Sequence, residues 1–283
     1  MQSKIARTDL AVESHHLASE GKTIEGVDVT AGHIHNFPFS CVVVKEDKAA
    51  SLLEKPIGKY VTLELDSYIN RRENSFADAA NAISEIITDF YDIKTSDTVL
   101  IVCLGNPLVT PDALGPLTAD ATLVTRHLKL GGIEAFADFA SVAVFRSGVL
   151  GTTGIESAVS LKALCAELKP DFVIAVDALA SADLSRLCKN VQICDTGIAP
   201  GSGVGNDRVQ IDSKLLGVPV IAVGVPTVTD ASTFSDNDEA KGLFVTPRNI
   251  DELVRSTAKL IAYGINLALH KGISVEDLDL LLE

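Results

Sequence analysis

Three stretches of the chain, VLIVCL at 99–104, FVIAV at 172–176 and VPVIAVGV at 218–225, are apolar at nearly every position, rich in β-branched residues and only strand-sized. A strand that is apolar on both faces must be covered on both faces, which is the environment inside a parallel sheet with helices packed above and below it. Further strand-like runs lie at 41–44, 60–65 and 191–194. The fold these runs predict is an α/β three-layer sandwich, with a mostly parallel central sheet flanked by helices.

The segments between the runs carry helical spacing. Phe76, Ala79, Ile83, Ile86, Ile87 and Phe90 recur behind Ser75, with Asp78 placed three residues on as an acidic capping-box partner. Helices are also predicted over 117–130 and over 154–168, the second with Ile155, Val159, Leu164 and Leu168 on its apolar face. Pro247 opens a last one, in which Leu253, Val254, Leu260, Ile261 and Leu267 recur down to His270. No period of tens of residues repeats, so solenoids and propellers are set aside.

Composition excludes several classes of function. With 47% apolar and 22% charged residues the chain is not disordered. Its 24 basic and 38 acidic residues leave a net charge of −14, which repels a phosphate backbone and anionic headgroups, so neither direct nucleic-acid binding nor a membrane partner is expected. No apolar run is long enough to span a bilayer, and the N-terminal MQSKIARTDLAVESHH has no apolar stretch behind its Lys and Arg, so a cytoplasmic protein is expected. Five cysteines, an odd number with no C-x-x-C spacing, predict reduced thiols rather than a disulfide framework or a zinc ribbon.

Open parallel sheets bind ligands outside the carboxyl ends of their strands. The loops there are GNPLVTPDALGP at 105–116, DALAS at 177–181 and DTGIAPGSGVGN at 195–206, so Asp112, Asp177 and Asp195 are expected to share one rim. Asp177 follows five apolar residues without a polar break, which predicts a carboxyl emerging from a strand tip with its pKa raised by partial burial. Adjacent strands lie about 4.8 Å apart, so carboxylates from two neighbouring strand ends can flank one water or one metal ion. They can also share a proton, one acting as base toward water and the other polarising a carbonyl. The plainer alternative stays open at this point, with Asp112 as a helix N-cap and Asp177 as a turn residue.

Other candidate motifs are weaker. Asp195-Thr196-Gly197 matches the D-T-G of pepsin-like proteases, but those use two such motifs on β-rich lobes, so an Asp opening a Gly-rich loop is preferred. GSGVGN lacks G-x-G-x-x-G spacing and a following apolar helix, which argues against a dinucleotide site. Ser202 stands outside any G-x-S-x-G, and Cys103 lies within a buried-strand pattern, so neither it nor a pairing with His127 is taken as nucleophilic. His15-His16 and His33-x-His35 lack further ligands at usable spacing and are read as solvated, so no metal or other cofactor is expected.

Six blocks in one order, IVCLGNPLVTPDALGP, GVLGTTGIES, KPDFVIAVDALAS, DTGIAPGSGVGN, GVPVIAVGVPTV and LFVTPRNID, together with the N-terminal IARTDLAVE, resemble the germination protease family of spore-forming bacteria. The resemblance covers most of the chain. It implies an endopeptidase of the forespore and spore core that starts degradation of small acid-soluble spore proteins at germination. It further implies an atypical aspartic protease, made as a self-processing zymogen and assembled as a homotetramer. The family's two essential aspartates correspond to the Asp of TPDALGP, Asp112, and the Asp of FVIAVDALA, Asp177.

The family is also similar in fold to the phosphorylase/hydrolase-like hydrogenase maturation proteases, whose matching acidic positions bind a metal. A divalent metal at Asp112 and Asp177 is therefore the alternative cofactor assignment, and a metal-dependent maturation-type peptidase or a non-catalytic peptide binder the alternative functions. Family zymogens are cut after an acidic residue that precedes a large apolar one, small residues and Glu. Thr8-Asp9-Leu10-Ala11-Val12-Glu13 matches, which implies a propeptide of residues 1–9 removed between Asp9 and Leu10, and one peptidase domain over 10–283. Relative to better-known members the leader is very short, and STFSDNDEAKG at 232–242 stands where they carry a long insertion. Those departures bear on zymogen control and oligomer contacts more than on the chemistry.

Overall fold

The buried apolar runs form the middle of one mixed sheet in the computed structural model, which describes residues 8–19, 21–69, 75–202, 205, 208–235, 240 and 242–282. Residues 1–7 of the expected propeptide, parts of the Gly-rich stretch at 203–207 and most of 236–241 lie outside the described residues. The strands are β1 (Val27–Ile34), β2 (Phe37–Val44), β3 (Gly58–Glu64), β4 (Thr98–Leu104), β5 (Ser141–Gly148), β6 (Phe172–Ala180), β7 (Asn190–Cys194), β8 (Val220–Asp230) and β9 (Phe244–Val245). Their order across the sheet is β1-β2-β3-β7-β8-β6-β4-β5, with β9 paired to β8.

The half of the sheet built from β8, β6, β4 and β5 is parallel, as the apolar runs require. The half from β8 through β7, β3 and β2 to β1 is antiparallel. The reversal begins at β7, because residues 181–189 between β6 and β7 make only a short 3-10 turn and leave no room for a crossover helix. β1 and β5, which the sequence left undetected, are the two ends of the sheet. The hydrogen-bonded ladder to β2 holds β1, whose middle residues are mostly exposed, and this removes the apolar signal.

The helices are α1 (Ala11–Ser19), α2 (Asp47–Leu53), α3 (Asp66–Ile69), α4 (Ser75–Phe90), α5 (Leu114–Asp120), α6 (Arg126–Leu130), α7 (Leu150–Thr153), α8 (Ser157–Leu168), α9 (Ser213–Leu216), α10 (Ile250–Leu269) and α11 (Val275–Leu282). One face of the sheet, with Ile101, Phe172, Ile174, Val176, Ile193 and Val223, packs against α4, α5, α10 and α11. The other, with Leu100, Val102, Val173, Ala175, Leu179 and Ala222, packs against α1, α2 and α8. This is the three-layer arrangement that alternating burial of both strand faces demands.

Two predicted helices come out differently. The span 117–130 is broken after Asp120, where the Thr125 hydroxyl donates to the Ala140 carbonyl and accepts from the Val142 amide at 2.9 Å, giving the backbone an alternative to helix. The span 154–168 starts late: Gly154, at φ 68°, ends α7, the helix proper begins at Ser157, and α8 buries Ala158, Leu161 and Cys165. Ile155 and Val159, predicted on the apolar face, are 52% and 63% exposed, because the helix presents the next row of residues to the sheet.

Candidate active site

β4 and β6 are hydrogen-bonded neighbours, so the loop after one and the residues late in the other meet at a common edge. Asp177 does not end its strand, since β6 continues to Ala180 and Asp177 pairs with Gly224 of β8. The alternation that turns Val173 and Ala175 toward the α1/α2/α8 layer turns the Asp177 carboxyl the same way, and the residue is only 5% exposed. Its Oδ1 accepts the Ala178 amide at 2.9 Å.

Asp112 closes the loop after β4, at the end of a 3-10 turn over Thr110–Asp112. Asn106 N–H donates to its Oδ2 at 2.9 Å and to its carbonyl at 3.0 Å. Gly105, at φ 111°, makes that closure possible, because a Cβ there would collide with the Asp112 carbonyl oxygen. The two carboxyls line one cavity of about 390 Å³, together with Asp9, Leu104, Ala199 and Arg208.

Their environments separate them chemically. Burial pushes the Asp177 carboxyl well above the usual carboxylate range, and the charges of Asp112 and Asp9 push it further, against the Ala178 amide and Arg208. Burial moves Asp112 up to about 6, opposed by the Asn106 amide and by Arg208. Both carboxyls are thus biased toward the protonated form, Asp177 by the charges of its neighbours as well as by burial.

Asp195 does not join them. It follows β7, which runs antiparallel to β8, so the carboxyl end of this strand points to the opposite side of the sheet from the ends of β4 and β6. Asp195 is exposed there and accepts the Lys59 amide at 2.8 Å. The segment behind it does return, and Ala199, Pro200 and Gly201 form part of the cavity wall.

Arg208 was not singled out in the sequence. It sits in the polar NDRVQID, and its only mark was a cation a few residues after a Gly-rich loop at a strand end. Its guanidinium lies 4.0 Å from Glu156. Asp9, expected as a cleavage position, places its own side chain in the cavity wall, and Leu10 beside it is fully buried.

Cys103 is fully buried in β4 with its thiol pushed up to about 12, while His127 is exposed, so they form no nucleophilic pair. All five cysteines are buried and free. Among the described residues no three His, Cys, Asp or Glu side chains converge to hold a metal ion. Among the described residues the aspartate pair thus has no third His, Cys, Asp or Glu placed to complete a metal site with it, and Arg208 brings a positive charge to the same cavity, a set that by itself does not fit a resident divalent ion. Among the described residues, no helix is long and apolar enough to cross a membrane.

Fold and cavity together define an α/β protein with two buried or half-buried carboxyls in one cavity at the edge of its parallel strands. The model of the germination protease family matches residues 4–240. Germination proteases of Caldanaerobacter subterraneus and Clostridium perfringens are 38% and 36% identical, covering 98% and 96% of this chain and 98% of each relative. That of Geobacillus is 38% identical over 96% of this chain and 76% of its own length. Among solved structures, a [NiFe] hydrogenase maturation protease, HycI, from Thermococcus kodakarensis covers 64% of this chain and 98% of its own at 21% identity, with a TM-score of 0.37. The chain belongs to the germination protease family, a family of proteases.

Proposed function

We propose that this chain is an atypical aspartic endopeptidase of the forespore and spore core that starts the degradation of small acid-soluble spore proteins at germination. The observation that carries the reading is the meeting of Asp112 and Asp177 in one cavity, with burial splitting their affinities for a proton. Asp112, more exposed and ionised, takes a proton from the attacking water. Asp177, protonated, donates to the carbonyl oxygen of the bond being cut; as the C–N bond breaks, Asp112 passes the proton it took from water to the leaving nitrogen and the gem-diol hydroxyl returns a proton to Asp177. Arg208 favours the ionised form of the pair. No bound ion is needed for any of these steps, and the homotetramer implied by the family is part of the same proposal.

The chain is made as a zymogen in this account, cut between Asp9 and Leu10. Support for this comes from Asp9, which lines the cavity with both aspartates. Intact-mass measurement of the purified full chain over time tests this, with a chelator in a parallel sample. The expected result is loss of residues 1–9, a new terminus at Leu10, and no effect of the chelator. A product that keeps Met1 while active contradicts self-processing. Chelator inhibition reversed by a divalent ion moves the assignment to the metal-dependent maturation type.

A further inference from the structure

Residues 8–13, of which 11–13 form the first turn of α1, are tied to the sheet and its loops by a dense set of polar contacts. Lys55 Nζ donates to the Thr8 carbonyl at 3.0 Å. Asp9 N–H donates to the Ala180 carbonyl at 2.9 Å, and Ala180 N–H returns to the Asp9 side chain, on Oδ2, at 2.8 Å, so both main-chain groups of the last residue of β6 hold Asp9. The other Asp9 oxygen, Oδ1, accepts the Ser202 hydroxyl at 2.8 Å. Gln192 clamps the next step with one amide group: its Nε2 donates to the Asp9 carbonyl at 3.0 Å and its Oε1 accepts Ala11 N–H at 2.7 Å.

Leu10 and Ala11 are fully buried between these clamps, in the cluster that includes Leu179. Glu13 accepts the Ser181 hydroxyl at 2.5 Å on one oxygen and the Ala182 amide at 2.8 Å on the other, with Arg186 Nε 3.5 Å away.

The sheet explains why the clamp and the aspartate pair act on one segment. Gln192, Gly224 and Asp177 stand in register across β7, β8 and β6, so Gln192 and Asp177 face the same side on either flank of a residue with no side chain. A Cβ at Gly224 would come within 2.6 Å of Leu179, whose side chain fills that gap. Asp9, Leu179 and Ala199 line both the 390 Å³ cavity and a second one of about 650 Å³ that holds Lys55, Tyr60 and Gln192. The N-terminal segment is thus a partition across one larger groove.

We propose that Lys55, Ser202 and the Ala180 amide form the subsite that reads an acidic residue just ahead of the bond to be cut, that Gln192 holds the main chain across that bond, and that residues 8–13 occupy this groove as a built-in ligand. The proposal rests on the protease reading for its cut, while the binding contacts stand apart from it. Selectivity for a carboxylate follows from the partners. The Ala180 amide fixes an oxygen on one side of the Asp9 carboxyl, and the Ser202 hydroxyl, which both donates and accepts, tolerates either end of an amide, so discrimination against asparagine falls to charge. Burial pushes the Lys55 ammonium below the usual lysine range, and Asp9 is the foremost carboxylate opposing that shift, so a carboxylate in its place is what matches the buried cation. Glu13 adds a second acid four residues later, and the buried Ala11 limits the intervening position to a small side chain.

The test uses the full chain and two synthetic peptides, one carrying Thr-Asp-Leu-Ala-Val-Glu and one with Asn in place of the Asp. Cleavage of the Asp peptide is expected to exceed that of the Asn peptide roughly tenfold or more in kcat/KM. That ratio is expected to collapse toward unity in Lys55→Met and to fall severalfold in Ser202→Ala, whose exposed position leaves folding intact.

A second readout does not depend on catalysis. In Asp177→Asn protein, excess Asp peptide is expected to displace the chain's own segment and speed amide exchange at residues 9–13, with the Asn peptide much weaker. Displacement without cleavage by the wild type keeps the subsite and removes the protease reading. Equal behaviour of the two peptides, or an Asp preference that survives in both variants, overturns the subsite. Failure of every peptide to displace the segment or be cut overturns it as well.

Discussion

Asp112 and Asp177 carry the same side chain, and everything that distinguishes them is supplied by neighbours. A carboxyl whose pKa is higher in the folded chain than in the unfolded one contributes stability below the unfolded value, and that contribution is lost as pH rises through the folded value. For Asp112 the window runs from 3.8 to about 6, and Asp177 shifts in the same direction. Above pH 6 the pair therefore costs stability. Asp112→Asn and Asp177→Asn are each expected to raise the melting temperature at pH 7.5 by roughly 2–5 °C. The difference should shrink toward zero near pH 4, as scanning calorimetry at the two pH values would show. Melting points lowered at pH 7.5 would mean that the pair is structural.

At this scale Asp177 was legible, because five apolar residues ahead of a lone acid leave few places for it to go. Asp112 was legible through the loop that follows a buried strand. Arg208 and the Asp9 side chain were not, since both reach the cavity only when distant segments fold back onto it. Asp195 was misplaced because its position after a strand says nothing of the direction in which that strand runs.

Among the elements, α10 is the one whose end carries a titratable cost. His270 follows its last turn, is 1% exposed, stacks on Phe139 at 4.9 Å between ring centroids, and neither ring nitrogen makes a hydrogen bond of good geometry among the described residues. Burial, with Lys129 nearby, pushes its pKa down to about 4, against the nearby Leu123 backbone carbonyl, which raises it. A base with a depressed folded pKa is stable as the neutral form, so its contribution is present above 6.5 and lost as pH falls toward 4. Urea unfolding of the wild type and of His270→Leu, at pH 7 and pH 4.5, measures this. The wild type is expected to lose about 2 kcal/mol more than the variant between the two pH values. An equal loss would assign the acid sensitivity elsewhere.

The apolar runs that became β4, β6 and β8 and the periodic residues of α4 and α10 were readable because burial on both faces, or on one stripe, leaves a dense local pattern. β1 was invisible for the opposite reason, its middle being held by ladder bonds and exposed at most positions. The break after α5 depended on Thr125 bonding to Ala140, a partner that the local pattern does not contain.

For the molecule as a whole, the mixed sheet brings together pieces far apart in sequence. The parallel half supplies the aspartate pair, and the turn into the antiparallel half places Gln192 level with Asp177. The N-terminal segment then lies over both. The three-layer class was legible from the both-sided strands, whereas the antiparallel half was not, because short connections set strand direction and composition does not. In a chain of net charge −14, three of the 24 basic residues, Lys55, Arg186 and Arg208, stand where carboxylates are held.

The central claim is that this pair of aspartates hydrolyses a peptide bond beside an acidic residue of a spore protein. Its most direct test is mass spectrometry of a small acid-soluble spore protein incubated with the full chain, with Asp112→Asn and with Asp177→Asn. The account predicts a cut after an acidic residue by the wild type and none by either variant. A cut that persists in either variant, or an intact protein after incubation with self-processed wild type, would contradict it.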